Sequence, residues 1–111
     1  MLDLKIKNGQ CYIDGELKNV DVSIKDGKIF SIGKITEECK NIIDAKGLIV
    51  LPGCIDTQTH FREPGSTDTE DLHSGSRAAI VGGITAVFEM PNTNPPTSTK
   101  KEFQRKLNLA K

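Results

Sequence analysis

Nothing in this chain of 111 residues supplies a net charge: 15 Lys and Arg residues balance 15 Asp and Glu residues. A nucleic acid or an acidic membrane surface therefore has no electrostatic reason to be its partner. No apolar run approaches the roughly 20 residues that cross a bilayer. The opening Met1-Leu2-Asp3-Leu4 lacks a basic stretch followed by an apolar one, so no signal peptide is expected. The three cysteines, Cys11, Cys39 and Cys54, are odd in number and include no CxxC pair. A reduced, cytoplasmic protein is the expectation. Gly82-Gly83 stands without GxGxxG or Walker spacing, which makes it structural rather than phosphate-binding.

What is present falls into two halves. In residues 1–50 short alternating runs are punctuated by turn dipeptides. Leu2, Leu4 and Ile6 alternate with Asp3, Lys5 and Lys7, the period of a half-buried strand. Asn8-Gly9 signals a turn, Cys11-Tyr12-Ile13 a second strand, and Asp14-Gly15 its end. Val20, Val22 and Ile24 form another alternating set, and Asp26-Gly27 leads as a hairpin turn into Lys28–Gly33. Residues 34–41 are polar and read as a loop, followed by strands at Ile42–Ala45 and Leu48–Val50. This half is expected to be a small β-sandwich-like domain.

Residues 51–111 change character at Leu51-Pro52-Gly53. Cys54-Ile55-Asp56 reads as a short strand, with Cys54 a small core residue. Thr67-x-x-Glu70 fits a capping box and predicts a helix from about Asp68 to Val81, ended by Gly82-Gly83. Ile84–Glu89 suits a buried parallel strand. Thr99-x-x-Glu102 is a second capping box, after which Phe103, Leu107 and Ala110 share a helical face and the lysines Lys100, Lys101 and Lys106 a solvated one. Strand, helix, strand, helix is the opening of an α/β fold with parallel strands. Two such strands leave most of their apolar edge uncovered, so the chain is expected to be incomplete.

The chemistry-bearing residues cluster where the two strands end. In an extended segment Asp56, Gln58, His60 and Arg62 share a face. A histidine there can bind zinc through a neutral ring nitrogen, and an arginine can hold a carboxylate by two parallel hydrogen bonds. Asn92, after the second strand, brings an amide that donates to the same anion.

These stretches resemble the start of dihydroorotases, in the amidohydrolase superfamily. The motifs that carry the resemblance are Pro52-Gly53-Cys54-Ile55-Asp56, His60-Phe61-Arg62-Glu63-Pro64-Gly65, Glu70-Asp71, Gly82-Gly83-Ile84-Thr85 and Met90-Pro91-Asn92-Thr93. The resemblance implies that residues 51–111 are the first two β/α units of a TIM-type (β/α)8 barrel. It further implies a zinc-dependent hydrolase, with one or two ions, that interconverts N-carbamoyl-L-aspartate and L-dihydroorotate in pyrimidine biosynthesis. His60 matches a metal-ligand histidine, and Arg62 and Asn92 match the residues that bind the substrate carboxylate. The catalytic aspartate and the other ligands come from later strands. No catalytic residue is therefore expected within these residues, and the fragment alone is expected to be inactive and to bind zinc weakly.

One departure is internal. The family pattern is Asp-x-His-x-His, and Gln58 stands where its first histidine belongs. An amide oxygen is a poor zinc ligand beside imidazole. The departure leaves open a one-metal site, a rearranged ligand set, or a non-catalytic relative that partners aspartate transcarbamoylase. A homodimer is a further expected assembly, and an allantoinase- or hydantoinase-type cyclic amidohydrolase the alternative activity.

Overall fold

The computed structural model describes residues 1–111. They form two compact units, Met1–Pro52 and Gly53–Lys111.

The first unit is all β. Strands β1 (Leu2–Lys7), β2 (Gln10–Ile13), β3 (Glu16–Asn19), β4 (Asp21–Lys25), β5 (Lys28–Gly33), β6 (Cys39–Asp44) and β7 (Ile49–Val50) make two sheets, ordered β5-β4-β1-β6 and β3-β2-β7. Two hairpins set the local pairing. Asp14-Gly15 joins β2 to β3 and Asp26-Gly27 joins β4 to β5, with both residues of each pair at positive φ. That geometry matches the right-handed twist of the flanking strands. Strand β1 is central, antiparallel to β4 and parallel to β6.

The structure corrects one sequence expectation and adds one strand. The segment 34–41 is not all loop, because Cys39–Asn41 already belongs to β6, paired with β1 from Leu2↔Cys39 onward. Polar residues are tolerated there because β6 is the outer strand of its sheet. Strand β3, Glu16–Asn19, also escaped the hydrophobic pattern: it is an edge strand with only Leu17 apolar.

The core of this unit is small: Leu2, Cys11, Val22, Ile35 and Ala45. Ser23 is fully buried, satisfied by Ser31, whose N–H donates to Ser23 Oγ at 3.0 Å and whose hydroxyl lies 2.7 Å away. Lys5 is buried too, against the simple alternation. Its ammonium donates to the carbonyls of Ile35 at 3.1 Å and Glu37 at 3.0 Å, which meets the requirement that a buried charge be hydrogen-bonded. The Cys11 thiol donates to the Val20 carbonyl, and burial pushes its pKa up, so it behaves as a core residue.

The second unit reads β8 (Cys54–Thr59), α1 (Leu72–Val81), β9 (Ile84–Glu89), α2 (Lys100–Leu109). Strands β8 and β9 pair in parallel, from Cys54↔Ile84 to Thr59↔Glu89, with α1 as the crossover. Close packing explains two glycines: a β-carbon on Gly53 would run into the Thr85 side chain, and one on Gly75 into Phe61 and Glu70. Cys54 is exposed rather than in a core, since the face of β8 that carries it is uncovered. No helix is long and apolar enough to cross a membrane.

Candidate functional site

The site is assembled from the loops that follow β8 and β9. Strand β8 is longer than expected and runs through Gln58 to Thr59. Its alternation stops there, so His60 and Arg62 lie on the following loop rather than on a shared strand face. Asp56 does not aim outward as a free carboxylate. It accepts from the Gln58 backbone N–H at 2.9 Å, and this bond holds its carboxyl below the usual carboxylate range.

Three ties hold the two loops together. The Met90 N–H donates to the Thr59 carbonyl at 2.8 Å, and the Asn94 N–H donates to the Pro64 carbonyl at 3.0 Å. Between them His60 Nδ1 and Asn92 Oδ1 meet at 2.8 Å. Gly65 closes the junction at φ 110°, where a β-carbon would run into the Asn94 backbone. The Thr93 hydroxyl donates to the Pro95 carbonyl at 3.0 Å and lies 3.0 Å from the Thr97 hydroxyl, which stiffens the second loop from within.

Of the residues singled out in the sequence, the structure therefore brings His60 and Asn92 into direct contact. Arg62 is exposed and takes no part in an ion pair, so its guanidinium is free. Gln58 is exposed at the end of β8.

Other residues shape the site without having been singled out for it. Glu63 accepts from the Leu72 N–H at 2.8 Å, so its carboxylate caps the first turn of α1 and ties the His60 loop to that helix. Lys106 is buried and ion-paired with Glu89 at the end of β9, which corrects its assignment to a solvated face. It is the buried residue of α2, while Phe103 and Leu107 are exposed, and the charge of Glu89 draws it to the strand end. The spacing of Phe103, Leu107 and Ala110 marks a face that is exposed here, and it carries no signal for the buried cation. Helix α1 starts at Leu72, not near Asp68. Its N-cap is Asp71, whose side chain accepts from the Ser74 N–H at 2.7 Å while Ser74 Oγ accepts from the Asp71 N–H at 3.2 Å.

The donor chemistry fits a metal only in part. No group of three or more His, Cys, Asp or Glu side chains converges anywhere in the chain. His60 qualifies as one imidazole ligand, and Gln58 offers an amide oxygen. A tetrahedral site would remain short of ligands, so no chemical step can be assigned to a metal held by these residues alone.

Comparison with known proteins agrees with this architecture. The sequence profile of the amidohydrolase family matches residues 49–110. An allantoinase of Salmonella choleraesuis (strain SC-B67) is 46% identical over 110 residues, which are 98% of this chain and 24% of that protein. The L-hydantoinase (dihydropyrimidinase) of Arthrobacter aurescens superposes with a TM-score of 0.88 at 35% identity, covering 99% of this chain and 25% of that one. The N-acyl-D-glutamate deacylase of Bordetella bronchiseptica, whose structure contains zinc, superposes with a TM-score of 0.62 at 30% identity over 78% of this chain and 18% of its own. The chain thus spans about a quarter of the length of the curated relatives it matches. The relatives matched over nearly the whole chain are an allantoinase and a hydantoinase rather than dihydroorotases, which shifts the specific resemblance while keeping its superfamily. An N-terminal β unit followed by parallel β/α pairs, matched to the family profile over more than half its residues, identifies the chain as a member of the amidohydrolase family.

Proposed function

We propose that this chain is the opening segment of a metal-dependent hydrolase of cyclic amides of the allantoinase or hydantoinase type. The observation that carries the reading is the 46% identity to an allantoinase across 98% of the chain. In this reading His60 supplies one metal ligand, with zinc the expected ion, and the rest come from strands beyond these residues. The metal's contribution is to activate water and polarise the ring carbonyl. The residues here bind and orient. Arg62 presents a free guanidinium beside the strand ends, and Asn92 keeps its amide N–H groups available to a substrate oxygen.

Dihydroorotate is the second substrate to consider, and one observation favours it. Arg62 and Asn92 stand on loops tied to each other, and together they offer the donors that a ring carboxylate requires.

The test is turnover by the full-length protein of allantoin, hydantoin and L-dihydroorotate, with added zinc. Allantoin or hydantoin turnover supports the first reading. Dihydroorotate turnover supports the second, and there Arg62→Ala should lower kcat/KM by about 10- to 100-fold, the factor of a hydrogen-bonded charge. A folded protein that converts none of the three overturns both. It would leave a non-catalytic role, with aspartate transcarbamoylase as the partner to try.

A further inference from the structure

His60 and Asn92 are 32 positions apart and lie on loops after different strands, yet their side chains meet at 2.8 Å. The atom facing the ring is Asn92 Oδ1, which can only accept a hydrogen bond. His60 Nδ1 must then donate. A neutral imidazole carries a single ring proton, so a proton on Nδ1 leaves Nε2 with a bare lone pair.

We propose that Asn92 is a positioning residue for His60, holding the neutral ring as its Nδ1–H tautomer so that Nε2 is the nitrogen free to act as a ligand. The contact is exposed, and an isolated exposed hydrogen bond has little hold on a side chain. This one is bracketed by backbone. The Met90–Thr59 bond lies just before it and the Asn94–Pro64 bond just after it, joining the same two loops. Both residues are thus fixed before their side chains meet, and less entropy is lost in forming the bond. Fixing a ligand histidine through its second nitrogen is a general device of metal sites. It matters more than usual here. The chain has two histidines, and the other, His73, lies on exposed α1; with Gln58 at the neighbouring strand position, His60 is the sole imidazole at the strand ends. The Asn92 amide nitrogen stays unengaged, so the role is compatible with a donor to substrate. The tautomer stands on the hydrogen bond alone; its use toward a metal rests on the proposed function.

The tautomer is read from the 15N chemical shifts of the neutral imidazole rings in the folded 111-residue chain, with exposed His73 as the internal reference. Wild type should carry the His60 proton mainly on Nδ1. Asn92→Asp, whose carboxylate also accepts, should keep it there. Asn92→Leu should move the tautomer ratio toward that of His73 by about fivefold, the factor that one net hydrogen bond supplies. A wild-type ring protonated on Nε2 overturns the inference without recourse to any variant. So does a ratio unchanged in Asn92→Leu, or one lost in Asn92→Asp while the amide spectrum stays folded. An Nδ1–H ring in a full-length protein that turns over no cyclic amide would retire the proposed function and leave this inference standing. An Nε2–H ring in an active enzyme would do the reverse.

Discussion

Gly65 shows how much of the site depends on one backbone atom's freedom. Its φ of 110° is disfavoured for any side-chain-bearing residue, and a β-carbon there would collide with the Asn94 backbone on the facing loop. Gly47 has a comparable φ of 78° but open space around it. Gly47→Ala should therefore cost about 1 kcal/mol, from conformation alone. Gly65→Ala should cost about 2–3 kcal/mol in the second unit, because strain and collision add. Denaturant unfolding of the two variants checks the difference, and equal losses would mean that the loop junction yields easily. At this scale the sequence was informative where residue type alone limits the chemistry. His60, Arg62 and Asn92 could be singled out because imidazole, guanidinium and amide at strand ends have few uses. The His60–Asn92 contact could not, since it depends on how two loops meet. The Glu89–Lys106 pair was equally hidden, because a lysine at helical spacing reads as solvated until a carboxylate is known to lie beneath it.

Helix α1 illustrates the same limit for elements. The sequence pattern favours Thr67-x-x-Glu70 as the cap, and the cap that forms is Asp71 with Ser74, which does not fit that pattern. Tertiary contacts decide. The Ser66 N–H donates to the Arg62 carbonyl, and the Thr69 and Glu70 N–H groups to the Ser66 carbonyl, which uses residues 62–70 as turns. Glu63 then captures the Leu72 N–H and fixes the helix start. Asp71→Ala should lower the unfolding midpoint of the second unit by several degrees, and Thr67→Ala should leave it unchanged. The cap also has a pH signature. The Ser74 backbone N–H, followed by the Ser74 hydroxyl, holds the Asp71 carboxyl below its ordinary value. A carboxyl depressed on folding stabilises the fold above the ordinary carboxylate range, and that stabilisation is lost as pH falls through the folded value. Asp71→Asn should thus flatten the acid limb of unit-two stability between about pH 4 and lower. Thermal melts across that range decide it; an acid limb as steep in Asp71→Asn as in wild type would place the titration elsewhere. Helix α2 was the easier case, since of Thr97, Ser98 and Thr99 only Thr99 has a Glu three residues on, and its side chain does accept from the Glu102 N–H at 3.2 Å.

Across the whole molecule the two units both expose large apolar side chains but differ in what they bury, since Leu2, Cys11, Val22, Ile35 and Ala45, the buried hydrophobic residues, all lie in the first. The first has two sheets, strands paired on both sides of β1, and buried polar groups that are satisfied. The second has one pair of parallel strands, and Ile55, Val81, Phe88 and Phe103 are 59%, 89%, 61% and 55% exposed. A parallel pair is normally buried on both faces. The α/β class was legible because hydrophobic period and turn dipeptides are local; the extent of exposure was not, because it depends on what strands β8 and β9 pack against. Two consequences should be measurable. Unit two should lose its hydrogen-exchange protection at lower denaturant than unit one, since local stability follows buried apolar contact. The 111-residue chain should also self-associate with rising concentration, because exposed apolar side chains and open strand edges favour it. Val81→Lys and Phe88→Lys separate these effects. Both side chains are mostly in solvent, so a charge there disturbs little packing within the unit and removes an exposed apolar group. Analytical ultracentrifugation should show both variants shifted toward monomer at concentrations where the wild type associates, with the exchange pattern of unit two retained. Association that persists in both variants would assign it instead to surfaces these substitutions leave intact, the backbone edges of β8 and β9 or the exposed apolar side chains of unit one such as Ile29 and Leu48.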